Sequence, residues 1–156
     1  MQPCPCRSIA QEDEKQNMNS AIRVSAGVLT CGQRLLICQR RAQDPHPGKW
    51  EFPGGKAQEG EDDAACLRRE LREELGIDAT IGVELQRATY TYANGRTVAL
   101  TFFSVPAYTG ELTNTQFQTL AWVEPAQLPS YDFLEGDLAF VAALARGAWS
   151  HLFSAG

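Results

Sequence analysis

Glu70, Glu73 and Glu74, three carboxylates within five residues, have the type and spacing to do chemistry. On a helix turning about 100° per residue they share one sector. A narrow apolar stripe of Ala64, Leu67, Leu71 and Leu75 lies beside them, with Arg68 and Arg72 on the other flank. Like charges three and four residues apart repel, at a cost of about a few tenths of a kcal/mol per pair, and a bound cation would relieve that repulsion. An all-oxygen set suits a hard ion, Mg²⁺ or Mn²⁺, rather than Zn²⁺. Taken alone, three glutamates in five residues describe a solvated acidic helix face more often than a metal site.

The frame around them changes the balance. Gly55, Glu61, Arg69-Glu70-Leu71, Glu73-Glu74 and Gly76-Ile77 occupy every fixed position of the pattern G-x5-E-x7-R-E-U-x-E-E-x-G-U, with U aliphatic. The chain therefore resembles a Nudix hydrolase. Just upstream, Trp50-Glu51-Phe52-Pro53-Gly54-Gly55-Lys56 is similar to the entry segment of the MutT-type branch. The resemblance implies a divalent cation held by Glu70, Glu73 and Glu74, with the Gly54 carbonyl and Glu61 completing or supporting the set. It also implies Lys56 beside the phosphates and Glu51 at the substrate. Arg69, four residues before Glu73, reads as a tether that orients a carboxylate.

These residues need elements to hold them. Glu61 or Asp62 can open the helix, since acidic residues favour its positive end, and Gly76 stops it. Upstream, Ile22 to Leu29 and Leu35 to Arg40 read as strands of a hairpin turning at Cys31-Gly32-Gln33. Ala42 to Lys49 is a Pro- and Gly-containing loop, and Arg40, Arg41, His46 and Lys49 form a basic cluster around it. Arg41 is a phosphate candidate, with a solvated strand end as the alternative, and His46 reads as a surface residue rather than a base. Downstream, strands over 80–92 and 97–106 join at Asn94-Gly95, a hairpin signal. Thr119 to Val123 is a further strand, and Leu134 to Arg146 an amphipathic helix ending at Gly147. The order predicts an α/β domain with a mixed sheet between helices, in agreement with the Nudix α/β/α sandwich, over about residues 21–150. Trp50 and Trp122 are expected in the core. Tyr90, Tyr92, Phe102 and Phe103 are expected in the core or on a sheet face, one of them free to stack on a base.

The 156 residues suffice for one domain, and 44% hydrophobic with 21% charged content is that of a soluble globular protein. No apolar run reaches about 18 residues, the N-terminus lacks a signal-peptide core, and a cytoplasmic location is expected. A net charge of −5 argues against a nucleic-acid polymer and leaves a small nucleotide as partner. Nothing chooses between a monomer and a homodimer. Residues 1–20 are expected to be a disordered extension, with Met18 an alternative start. Cys31, Cys38 and Cys66 read as small core residues in a reducing compartment, while Cys4 and Cys6 are close enough to bind metal or oxidise.

The resemblance implies an Mg²⁺-dependent nucleoside triphosphate pyrophosphohydrolase, releasing a nucleoside monophosphate and pyrophosphate, with oxidised dGTP among its substrates. ADP-ribose or dinucleoside polyphosphates are the alternative substrates, and a non-catalytic nucleotide-binding module the alternative class. One position departs from the pattern. MutT-type sequences commonly place a glutamate six residues before the tryptophan of the strand preceding the last helix, and here that position is Gln116. An amide cannot take a proton at neutral pH, so a box glutamate or Glu111 would have to serve, or activity is low. Asp137 matches in part the segment whose last polar residue contacts the base. As an ionised, acceptor-only group it would favour guanine and 8-oxoguanine, and as a helix cap it would favour no base.

Overall fold

A computed structural model of the chain describes residues 21–153. The expected N-terminal extension, Met18, Cys4 and Cys6 lie outside the described residues. Strand β1 (Ile22–Cys31) is the axis of the sheet. Along one edge it runs parallel to β7 (Thr97–Val105), in register from Ile22↔Val98 to Leu29↔Val105. Along the other it meets β2 (Arg34–Gln39) for only two pairs, Thr30↔Leu35 and Cys31↔Arg34. Past that short hairpin the strands part. β1 takes β4 (Gly54–Lys56) as its antiparallel neighbour, and β2 takes β3 (Trp50–Glu51). β6 (Glu84–Thr91) pairs outside β7, and β9 (Thr119–Val123) pairs with β2 along its length. The result is a mixed seven-stranded sheet.

Helices cover both faces of this sheet. Helix α1 (Asp63–Leu75) packs Leu67, Leu71 and Leu75 with Leu29, Leu36, Phe103 and Val105. Helix α2 (Leu138–Ala145) packs Phe140, Val141 and Leu144 with Val28, Leu35, Ile37 and Phe102. Alternate residues of a strand point to opposite faces, so Leu35 and Ile37 enter one core while Leu36 and Cys38 enter the other. Phe102 and Phe103 do the same as adjacent residues. Phe102 stacks on Phe140 at 3.9 Å.

Local chemistry sets the ends of α1. Asp62 caps it by accepting from the Ala65 N–H at 2.7 Å, and Gly76 closes it at φ 69° with its N–H on the Arg72 carbonyl. Each buried leucine contributes about 1.5–3 kcal/mol, against about a few tenths for each glutamate pair. Packing therefore holds the acidic face in helical form.

Several sequence expectations are corrected. The strand expected over 80–92 is two pieces, because β5 (Asp78–Thr80) leaves the main sheet to pair with β8 (Ala107–Thr109). The last helix begins at Leu138, preceded by a 3₁₀ turn at Glu135–Asp137, and another 3₁₀ helix spans Pro125–Ser130. Cys38 and Cys66 are buried, but Cys31 sits at the hairpin turn and is exposed. Trp50 and Trp122 pack against the cores while only half-buried.

Candidate active site

Two glycines bring backbone against the acidic helix face. Gly54 has φ 151°, and a side chain there would fall on the Ser25 carbonyl. A Cβ on Gly55 would collide with the Glu70 carboxylate, its oxygens at 2.6 and 2.7 Å. The Gly54 N–H donates to Glu74 Oε2 at 3.3 Å, and the Cys66 thiol donates to the Gly55 carbonyl at 3.4 Å.

Arg69 organises the carboxylates beside this turn. Its Nε and Nη2 donate to the two oxygens of Glu61 at 2.8 and 3.0 Å, and Nη1 donates to Glu70 at 3.0 Å and Glu73 at 3.2 Å. Nη2 also donates to the Lys56 carbonyl at 2.9 Å. The expected tether to Glu73 thus extends to two more glutamates and to the glycine strand. These bonds, with the Gln58 N–H, hold the Glu61 carboxyl down to about 2. A paired carboxylate of this kind is a support for its neighbours.

Glu74 differs from the others because it is 5% exposed. Burial, then the adjacent Glu70 and Glu51, push its carboxyl well above the ordinary range, and its protonated form hydrogen-bonds Glu70. Among the described residues no three metal-ligating side chains converge on one point, since Arg69 draws Glu70 and Glu73 toward itself. The donors still fit a hard divalent ion. They are all oxygen, and a cation beside Glu74 would compete with the proton that burial favours there.

Where β1 and β2 part, a cavity of about 370 Å³ opens. Gly54, Lys56, Glu74, Glu51, Gln116 and Asp137 all line it. Glu51 is partly buried and its carboxyl is pushed up by desolvation, although Arg40 Nη1 donates to both its oxygens at 3.2 and 2.9 Å. Asp137 is 5% exposed. Its carboxyl is pushed well up by burial and then by Glu51, against the opposing Phe52 N–H. The Asp137 side chain makes no capping hydrogen bond to α2, so the cap reading fails. The ionised form assumed from sequence is also the disfavoured one.

Glu61, Arg69, Glu70 and Glu73 form the ion-pair network next to the cavity. Arg41 points elsewhere, its Nη2 on the Thr115 carbonyl at 3.3 Å, and exposed Glu111 is not among the lining residues. Arg40, to which the sequence pattern assigns no role, lines the cavity, where it holds Glu51 and donates its Nε to the Pro45 carbonyl at 2.6 Å. Its only signal was membership of the basic cluster. His46, read as a surface residue, is exposed yet also lines the cavity.

The NUDIX domain family model matches residues 21–144. The chain is similar to a CTP pyrophosphohydrolase of Escherichia coli (strain K12), 36% identical over 122 residues, covering 78% of this chain and 90% of that protein. It is similar to an 8-oxo-dGTP diphosphatase of Proteus vulgaris, 37% identical over 94 residues, covering 59% of this chain and 82% of that protein. Among solved structures, that of the E. coli ORF135 protein superposes with a TM-score of 0.73 at 33% identity, covering 85% of this chain and 95% of that one. On the domain match and on this arrangement of turn, helix and cavity, the chain belongs to the Nudix family, hydrolases acting on nucleotide phosphoanhydride bonds.

Proposed function

We propose that the chain hydrolyses nucleoside triphosphates to a nucleoside monophosphate and pyrophosphate, with 8-oxo-dGTP and CTP the first substrates to test. One observation carries this reading. A single cavity joins the Gly54–Glu74 end to the carboxyls of Glu51 and buried Asp137, so one ligand can offer a polyphosphate to the first and a base to the second.

Glu70, Glu73 and Glu74, with the Gly54 carbonyl, would hold Mg²⁺ or Mn²⁺, which when bound neutralises phosphoryl charge and lowers the pKa of a water. The protein supplies the rest. Arg69 keeps Glu61, Glu70 and Glu73 aligned, and Lys56 offers a cation to the phosphates. Gln116 lines the cavity as an amide, so proton removal falls to a box glutamate rather than to that position.

At the base, a protonated Asp137 presents one donor and one acceptor. That pair matches the N3/N4 edge of cytosine as well as the O6/N1 edge of guanine, and it removes the ground for guanine alone. The similar proteins named for CTP and for 8-oxo-dGTP support both. Rates with 8-oxo-dGTP, dGTP, CTP, dTTP, ADP-ribose and diadenosine tetraphosphate, in Mg²⁺ and in EDTA, test the reading, with products separated by chromatography. A triphosphate should be split to monophosphate and pyrophosphate and be preferred at least tenfold. Faster cleavage of ADP-ribose or diadenosine tetraphosphate would overturn the substrate class, and binding without turnover would overturn the reaction.

A further inference from the structure

An α-helix leaves its last four carbonyls without partners of its own. In α1 these belong to Arg72, Glu73, Glu74 and Leu75. The Gly76 N–H takes the first. The other three are met by a segment 38 to 42 residues later in the chain. The Thr115 hydroxyl lies 2.9 Å from the Glu73 and Glu74 carbonyls alike, and the Thr115 N–H donates to the Glu74 carbonyl at 3.1 Å. The Thr113 N–H and hydroxyl donate to the Leu75 carbonyl at 2.8 and 3.2 Å.

Gln116 follows directly, and it is fixed on its other side as well. Phe117 is buried in the core beneath α1. Its N–H donates to Asn114 Oδ1 at 2.8 Å, and its carbonyl accepts from Asn114 Nδ2 at 2.9 Å. The Gln118 N–H joins the end of β2 at the Gln39 carbonyl, 2.8 Å away, and Arg41 Nη2 holds the Thr115 carbonyl. The segment thereby delivers Gln116 to the cavity wall, beside Gly54, Lys56 and Glu74. Glu51, Glu74 and Asp137 furnish that cavity with carboxyls. An amide differs from them in offering two N–H donors and no charge.

We propose that Gln116 donates its amide N–H to a phosphoryl oxygen of the substrate and that Thr113 and Thr115 position it, an inference that rests on the triphosphate reading above. A polyphosphate accepts hydrogen bonds at its non-bridging oxygens, and a bond to a charged acceptor is among the strong ones. Thr115 does not line the cavity, so it acts through its neighbour. The helix end that it caps also carries Glu73 and Glu74. Through their carbonyls the two threonines tie the amide donor to the acidic face, and the two keep one spacing across the cavity.

The test is steady-state hydrolysis of CTP and 8-oxo-dGTP in Mg²⁺, beside calorimetric titration with inorganic pyrophosphate in Mg²⁺. The full chain is used as wild type, Gln116→Ala, Thr115→Val, Thr115→Ser and the double variant Thr115→Val with Gln116→Ala. Gln116→Ala should lower kcat/KM about tenfold or more and weaken pyrophosphate by a similar factor. Thr115→Val keeps the shape and loses the hydroxyl, and should lower both by about 3- to 10-fold, with Thr115→Ser close to wild type. In the double variant the valine should add nothing to the alanine, because residues that act through one another are not additive. Wild-type kcat/KM and pyrophosphate affinity in Gln116→Ala would overturn the contact. Equal factors for Thr115→Val with and without Gln116, or a serine no better than the valine, would overturn the positioning role and leave Thr115 a helix cap. Gln116→Ala alters an exposed side chain, so the contact is decided even should Thr115→Val fail to fold. A wild type that binds pyrophosphate through Gln116 yet splits neither triphosphate would overturn the triphosphate reading and keep the contact; one that does neither would overturn both.

Discussion

Glu74 shows how far environment separates residues of one type on one helix. It is buried and its carboxyl is pushed well up, by burial first and then by Glu70, while Glu73 stays half-exposed on Arg69. Glu73→Gln or Glu74→Gln should lower kcat by about 10²-fold or more and leave the far-ultraviolet circular dichroism unchanged; wild-type turnover in either would remove that residue from the site. Gln116→Glu should raise kcat or tighten Mg²⁺ binding, as titrated by activity, if a carboxylate at that position is limiting. Asp137 carries a pH signature. Its folded pKa is raised above an unfolded value of about 3.9, so the folded state binds the proton more tightly. Its contribution is complete below about pH 4 and is lost as pH climbs toward the folded value. Asp137→Asn removes that loss, and its melting temperature should gain on wild type more at pH 8 than at pH 5. An equal difference at both values would mean that the carboxyl is ionised in the fold.

Strand β4 and helix α1 work as a unit, because a missing Cβ is what lets one lie on the other. Gly55→Ala should push Glu70 aside, lowering kcat about tenfold or more with a smaller effect on melting. Gly76→Ala, at the left-handed end of the same helix, should do the reverse, costing about 1–2 kcal/mol in urea unfolding with kcat retained. Similar activity loss in both would show that Gly55 serves the fold rather than the site. The β1–β2 hairpin matters for being short. Its two pairs bring the strands together, and their separation beyond makes room for the cavity.

At the scale of the whole molecule, site and stability are linked through the buried carboxyls. An ion that binds only the folded state adds about 2.7 kcal/mol at one hundred times its Kd, which for a domain of this size is roughly 5–10 °C in Tm. Scanning calorimetry with and without Mg²⁺ should show that rise, and Glu74→Gln should lose most of it. No rise in the wild type would place the ion outside this carboxyl set. The segment around Phe133 docks on β3, the Trp50 N–H on the Asp132 carbonyl at 2.9 Å and the Leu134 N–H on the Trp50 carbonyl at 3.0 Å. That seam carries Asp137 to the cavity. Among the described residues no helix is long and apolar enough to cross a membrane.

The sequence by itself determined what is local. Helical geometry converts spacings of three and four residues into direction, so Glu70, Glu73, Glu74 and the leucine stripe were legible before any fold, as were the Gly76 stop and the Asn94-Gly95 turn. The fold class followed from the order of such elements. Tertiary structure alone decided that Arg40 rather than Arg41 faces the cavity, that β5 deserts the main sheet for β8, and that His46 meets Tyr92. It also decided that the Asp137 carboxyl is pushed up. A carboxyl's charge depends on how much water surrounds it and which charges stand near it, and here burial acts first, followed by Glu51 and by the opposing Phe52 N–H and Arg40, all three more than eighty residues away in the chain.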